Sequence, residues 1–345
     1  RIYFFGSVAV VLYNISVGIL QAVGDSRHPL YYLIFSALLN VVLDLLFVGG
    51  FKMGVGSAAA ATAISQGVSA LLCIVQLLRT KDVYRISLKK IRFHKDMLGQ
   101  ILRYGLPSGV QNSVIALANV VVQSNINVFG SNAMAGCGSY TRVEGFAFLP
   151  ITSFSLSLTT FIGQNLGAKK FDRAKAGARF GILCSVAMAE LIGVLICLLA
   201  PYLVSLFIDR SNPDELTNVE EIIRIGTRQA RTEALFYCLL AFSHCIAGIC
   251  RGAGRAGVPM LIMLACWCLV RIVYISVVVH FVHDIAVIFW AYPLTWGLSS
   301  LIFLVYYLKS DWVHAFERRN GMAAGTDGAE TEEIGAEEAG GEMPE

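Results

Sequence analysis

Nine long apolar runs follow one another along the chain, at 2–22, 29–50, 54–78, 104–129, 143–163, 178–207, 232–250, 258–280 and 285–308. Polar and helix-breaking residues gather between them, as in Gly24-Asp25-Ser26-Arg27-His28-Pro29, Gly49-Gly50 and Gly252-Ala253-Gly254-Arg255-Ala256-Gly257. About 20 apolar residues wound as a helix cross the hydrocarbon core of a bilayer. Only a helix or a closed barrel pairs every backbone group there. The pattern therefore predicts an all-α polytopic membrane protein with nine spanning helices, the sixth long enough to tilt or to project beyond the membrane.

Composition agrees with this solvent. Hydrophobic residues make up 56% of the 345 positions and charged residues 15%, with a mean hydropathy of +0.65. A soluble surface needs roughly a quarter charged residues to stay wetted. Eight of the 24 acids and none of the 27 Lys and Arg residues fall in 321–345. That Gly-, Ala- and Glu-rich stretch has no apolar period and reads as a solvated, disordered tail. The nine cysteines sit inside apolar runs, apart from Cys137 in an expected short loop. With no CxxC pair, they read as buried, reduced thiols.

The basic residues set the orientation. Segments 24–28, 79–103, 164–179, 251–257 and the stretch after Leu308 hold 19 of the 27 Lys and Arg residues, whereas the opposite loop 209–233 balances four Arg against six acids. The positive-inside rule places the first set, and the C-terminal tail, in the cytoplasm. This also accounts for the basic segment 79–103 without invoking nucleic acid.

The chain repeats itself at an offset of 230. Gly18, Gly24, Pro29, Leu39, Ala61, Gly67 and Ser69 recur as Gly248, Gly254, Pro259, Leu269, Ala291, Gly297 and Ser299. Such parallel repeats are built about an axis along the membrane normal. Helices one to three pair with seven to nine, and four to six have no counterpart. A first helix entering from outside requires an odd number before it. The chain also begins with Arg1 rather than Met, so the expectation is an N-terminally truncated protein, nine helices of twelve in two six-helix lobes. The expected divisions are 1–78 for the last helices of the N-terminal lobe, 79–103 for a cytoplasmic linker, 104–310 for the C-terminal lobe and 311–345 for the tail.

Several strings stand in a familiar order: Gly24-Asp-Ser-Arg-His-Pro29, Asn40-Val-Val-Leu-Asp44, Gly105-Leu-Pro-Ser-Gly-Val-Gln111, Arg142-Val-Glu-Gly-Phe-Ala-Phe-Leu-Pro150, Gly163-Gln-Asn-Leu-Gly-Ala168 and Arg251-Gly-Ala-Gly254. In order and spacing, across most of 1–310, the chain resembles the MATE (multidrug and toxic compound extrusion) family, with a pattern closer to its DinF-like branch. The resemblance implies two six-helix lobes around a central cavity and export of substrate against inward flow of H⁺ or Na⁺.

Asn40 and Asp44 lie four apart and share a helix face. An acid inside the membrane is costly, and usually faces a cavity, a partner or an ion. Thr62 falls at similar depth in the antiparallel third helix, and carboxylate, amide and hydroxyl oxygens suit a hard cation. The resemblance carries an Asn, an Asp four later and a Thr eighteen after that as the cation site of the N-terminal lobe, so Asn40, Asp44 and Thr62 become the candidate coupling site, with Na⁺ the one metal expected, at Asp44. The structural alternative is an Asp that merely ties helices together. Gln111, Asn112, Asn119 and Gln123 make the fourth helix rich in amides, either a substrate-cavity wall or interhelical hydrogen-bonded glue. The second cation site of the family's other branch would need an acid where Ile115 stands.

Arg271, deep in the eighth run, needs an acid or a wet cavity, and Glu190 in the sixth run is one candidate partner. Arg142 and Glu144 read as a capping or gating pair near an outer helix mouth. No GxSxG, HExxH, P-loop or paired catalytic carboxylates occur, so neither an enzyme nor an ATP-driven pump is expected. The leading expectation is a monomeric antiporter of a bacterial cytoplasmic membrane, without a cofactor. It exports amphipathic organic cations among membrane lipids in exchange for H⁺ or Na⁺. A lipid or lipid-linked oligosaccharide flippase is the first alternative, and a non-transporting scaffold or receptor the second.

Overall fold

The computed structural model describes residues 2–82, 84–87, 91–208 and 218–313. The acidic tail at 321–345 and residues 209–217 lie outside the described residues. Every described regular element is helical. In chain order they are α1 (Ile2–Ala22), α2 (Arg27–Gly50), α3 (Val55–Arg79), α4 (Lys95–Asn127), α5 (Ser131–Gly167), α6 (Phe171–Ser205), α7 (Val219–Glu233), α8 (Tyr237–Gly252), α9 (Gly257–Phe281) and α10 (Ala286–Lys309). A 3₁₀ turn, Ala234–Phe236, joins α7 to α8. Among the described residues, eight helical spans are long and apolar enough to cross a membrane, α7–α8 counting as one, and Gly6–Ala22 of α1 adds a shorter apolar helix.

Three helices begin earlier than their apolar runs. Helix α4 starts at Lys95 instead of 104, α5 at Ser131 instead of 143, and α6 at Phe171 instead of 178. Apolar runs mark the part immersed in hydrocarbon, while the backbone ladder continues into charged turns outside it. Cys137 is accordingly a buried residue of α5, not a loop residue. The larger difference is α7, a 15-residue helix in the segment expected to be an outer loop. Its charges hide a helical period: Ile222, Gly226, Ala230 and Glu233 are buried on one face, and Glu220, Arg224, Arg228 and Arg231 are exposed on the other.

The chain folds as two compact units, α1–α3 in residues 1–94 and α4–α10 from Lys95 onward. The division falls inside 79–103, but the stretch from Lys95 already belongs to the second unit. In the first unit α3 packs against both α1 and α2, around Leu20, Cys73 and Leu77. In the second, α5 packs against α6, α7 and α8. Small residues permit this closeness, as is usual where lipid supplies no hydrophobic drive between helices. A methyl group on Gly136 would meet the Ile222 carbonyl at 2.7 Å, and one on Gly226 would meet the Gly136 carbonyl at 2.8 Å. Leu183 and Leu198 of α6 are 68% and 70% exposed, as a surface solvated by lipid requires.

The repeat is visible in the backbone. Gly24 and Gly254 both take left-handed conformations, with φ of 88° and 75°. At the first, Asp25 N–H donates to Leu20 O (2.9 Å) and Gly24 N–H to Gln21 O (3.0 Å). At the second, Arg255 N–H donates to Cys250 O (2.8 Å) and Gly254 N–H to Arg251 O (2.9 Å). These are the same helix-terminating bonds, followed by Pro29 and Pro259, both buried. Gly24→Ala and Gly254→Ala should each cost about 1–2 kcal/mol, the penalty of a left-handed non-glycine residue. The second should cost more, because its added carbon meets the Tyr104 hydroxyl at 3.3 Å. Thermal unfolding in detergent should show both midpoints lowered, whereas Gly18→Ala, where the new carbon meets nothing within 4 Å, should leave the midpoint level or raise it.

Candidate functional site

In the first unit a polar stripe runs down α2 at four-residue steps: Tyr32, Ser36, Asn40 and Asp44. Its upper half is paired with α3. The Ser69 hydroxyl reaches the Tyr32 carbonyl at 3.5 Å, and the Ser36 hydroxyl donates to the Ser65 carbonyl at 2.6 Å. Continued by the same four-residue step, this register sets Ala61 opposite Asn40, with Thr62 the next residue along α3. The lower half of the stripe is not paired. Asn40 Nδ2 and Asp44 Oδ1 are buried without a hydrogen-bond partner. Immediately after Asp44, α2 widens into a π-helical turn, Leu45–Gly50, a distortion frequent at functional sites. Thr62 Oγ1 donates to the Ala58 carbonyl of its own helix at 3.0 Å, which leaves its lone pairs free to accept or to ligate.

Helix α4 presents two exposed faces of opposite character. Leu106, Val110, Leu117 and Val120 form an apolar one. Beside it, Gly105, Gly109, Asn112, Ala116, Asn119, Gln123 and Asn127 are exposed along a single stripe of small and amide residues. Gln123 Nε2 donates to Asn127 Oδ1 at 3.0 Å. Amides cannot border hydrocarbon without stranding polar groups at several kcal/mol each, so this stripe belongs against water, a polar ligand or polar groups of another helix. Gln111 stands apart: it is buried, and its Nε2 lies 2.7 Å from the Met263 thioether. It serves as interhelical packing in the second unit rather than as an accessible wall.

The second unit also holds a cluster that the apolar-run reading did not assemble. Arg271 of α9, 3% exposed, donates to Thr295 Oγ1 at 2.9 Å, and its guanidinium carbon lies 4.3 Å from the centre of the Tyr292 ring. Its acidic neighbours are Glu144 of α5 and Glu233 of α7. Glu190, offered as a partner from its depth in the sixth run, sits instead beside the Cys238 thiol. Gln229 Nε2 donates to Glu233 Oε1 at 2.9 Å, and the Tyr140 and Tyr237 hydroxyls meet at 2.8 Å. The cluster does not close on itself. Glu233 Oε2, Gln229 Oε1 and Arg271 Nε are all buried without a hydrogen-bond partner.

The cluster thus sets two acidic side chains, Glu144 and Glu233, about one guanidinium. Arg142 and Glu144, expected as a pair, diverge, since two helical residues apart point about 200° from each other. Arg142 is exposed and reaches the Phe207 carbonyl at 3.4 Å, capping the end of α6. Glu144 turns inward to the cluster. Glu233 and Gln229 escaped the sequence reading because they sit among exposed charges; the period of Ile222, Gly226, Ala230 and Glu233 was the signal that pointed to them.

Removing Arg271 strands two buried acids, and breaking such a buried set typically costs about 3–5 kcal/mol. Arg271→Met should therefore lower the unfolding midpoint by several degrees. Adding Glu233→Gln should recover much of that loss, so the double-mutant cycle should show strong coupling. Independent, additive effects would mean that the two residues do not share a site.

The MatE family profile matches residues 107–277. Over 315 residues the chain is 27% identical to YoeA, a probable multidrug resistance protein of Bacillus subtilis, covering 89% of this chain and 66% of the relative. It is 30% identical over 270 residues to the B. subtilis probable multidrug resistance protein YpnP, covering 78% and 58%. With the probable multidrug resistance protein NorM of Thermotoga maritima it shares 26% over 267 residues, covering 76% and 55%. The chain thus spans under two thirds of these relatives' lengths. Among solved structures, an outward-facing multidrug resistance MATE transporter of the MOP superfamily superposes with a TM-score of 0.82 at 21% identity, over 92% of this chain and 69% of that one. A MOP superfamily transporter from Pyrococcus furiosus gives 0.83, also at 21% identity and over 92% and 69%. At such identities these likenesses establish the fold.

Proposed function

We propose that this chain, which belongs to the MATE family, is part of a secondary antiporter that exports amphipathic organic cations from the cytoplasm in exchange for inward-moving H⁺ or Na⁺. The observation that carries the proposal is the pair of buried, unpartnered polar atoms on α2, Asn40 Nδ2 and Asp44 Oδ1. A carboxylate oxygen kept from water and given no donor is an expensive group to retain. Intramembrane acids of this kind mark ion and proton pathways. A proton or a Na⁺ ion on Asp44 supplies the partner that its Oδ1 lacks, and the Asn40 amide and the Thr62 hydroxyl are the polar groups offered to complete the shell. Release to one side and capture from the other then couple ion flow to transport.

The exposed amide stripe of α4 supports the substrate side of the reading. Asn112, Asn119 and Gln123 offer neutral hydrogen-bonding groups without a fixed positive charge to repel a cation. The stripe contains no Lys or Arg, whereas a flippase moving an anionic lipid-linked sugar would be served by a basic wall. The names of the multidrug resistance relatives point the same way.

The test is uptake of a fluorescent lipophilic cation into inverted vesicles carrying the full-length protein. An imposed H⁺ or Na⁺ gradient should drive uptake, and Asp44→Asn should reduce gradient-driven uptake at least about tenfold, the loss of one interaction of about 1.4 kcal/mol or more. Asp172→Asn, at an exposed acid in the first turn of α6, should leave uptake close to the parent level. Uptake that is equally fast without any ion gradient, or unchanged in Asp44→Asn, would remove the coupling role.

A further inference from the structure

The exposed face of α7 is not simply a solvated charge run. Together with Pro201 of α6 and Trp290 of α10 it walls a cavity of about 780 Å³, a volume within the ordinary range of small-molecule sites. Polarity changes steeply along it. Glu220, Arg224, Arg228 and Arg231 line the outer part, and Leu235, Phe236 and Trp290 line the inner part. From Arg224 to Phe236 the helical path is about 18 Å, longer than a headgroup layer of about 5–8 Å, so the cavity can reach from headgroups into hydrocarbon.

The three arginines are not equivalent. Arg224 pairs with Glu221 at 2.8 Å, and Arg228 with Asp284 at 2.9 Å. The backbone N–H of Ala286 and the Arg228 guanidinium hold the Asp284 carboxyl below the usual carboxylate range, so the second pair persists at neutral pH. Arg231 has no ion-pair partner among the described residues. Thr227, 8% exposed and lining the same cavity, keeps a buried hydroxyl without a hydrogen-bond partner. Among the described residues, an unpaired guanidinium and an unpartnered hydroxyl thus line one cavity beside its apolar floor. That floor does not close: Leu235 is 45% exposed and Trp290 46%, and the Trp290 face of α10 continues through exposed Leu294 and Leu298.

We infer that this cavity is a binding site for an anionic phospholipid of the outer leaflet. Its phosphate pairs with Arg231, with Arg228 next to it, and an acyl chain runs past Phe236 and Trp290 along Leu294 and Leu298. Arginine suits the role because its planar fork takes a phosphate through two parallel hydrogen bonds, and tryptophan is at home at the membrane interface. A fully water-soluble anion would gain nothing from the half-exposed apolar end. The site is separate from Asp44 and does not depend on ion coupling.

The purified full-length protein, stripped of lipid in detergent, is titrated with phosphatidylglycerol, phosphatidylcholine or inorganic phosphate while its unfolding midpoint is followed. Phosphatidylglycerol should raise the midpoint at concentrations where the other two do little. Brominated phosphatidylglycerol should quench part of the tryptophan emission, and Trp290→Phe should remove that part. Arg231→Gln should weaken phosphatidylglycerol binding about tenfold while unfolding, without lipid, at the parent's midpoint, because Arg231 is exposed. Should it not, Arg231→Lys, which keeps the charge and loses the fork, should weaken binding by a smaller factor. Equal stabilisation by inorganic phosphate would identify a soluble-anion site instead. Equal stabilisation by phosphatidylcholine, or undiminished binding in the Arg231 variants, would overturn the assignment.

Discussion

A bilayer's interior offers no hydrogen bonds, so every polar group placed there must find its partner within the protein or from something that visits it. This constraint shapes the chain at each level. It makes the described elements helical and lets glycine bring backbones within contact at the Gly136–Gly226 crossing. Hydroxyls turn back onto carbonyls of their own helix, as Thr62 does to Ala58 and Thr295 to Ala291. Against that background of satisfied groups the exceptions carry information. Among them are Asn40 and Asp44 on α2, and Glu190, Gln229, Glu233, His244 and Arg271 in the second unit, which keep buried atoms without partners. A soluble protein would hydrate such groups at small cost. Here they are retained at a cost, which a bound cation could offset only at the oxygens, such as Asp44 Oδ1.

How much of this is legible in the sequence depends on the distance over which each signal acts. Helices declare themselves locally, since an apolar run needs no knowledge of its neighbours. The repeat is nearly as accessible, because Gly24 and Gly254 answer to one backbone requirement, a left-handed residue at a helix end. Asn40 and Asp44 share a face by spacing alone. Arg271 is different, because its neighbours depend on which helices surround α9. Depth in the membrane suggested Glu190, and packing supplied Glu144 and Glu233. Helix α7 was hidden for a third reason. Its exposed arginines and acids dominate the composition of the segment, and only the interval between its buried residues reveals a helix.

Polar features in the two units therefore differ in kind. The first unit carries a short stripe on α2 that ends where the helix widens into a π turn. The second carries a buried cluster of two acids and one arginine among α5, α7 and α9, and an amide-lined exposed face on α4. None of these, among the described residues, resembles a catalytic constellation. The groove along α7 adds a cavity that joins arginines to an apolar, half-exposed floor.

Infrared difference spectroscopy of the full-length protein in lipid, recorded as pH or Na⁺ is changed, tests the claim at Asp44 most directly. The account predicts a carboxyl or carboxylate band that moves on adding one of these ions and is missing in Asp44→Asn. A spectrum whose ion-dependent bands are identical in the parent and in Asp44→Asn would contradict it.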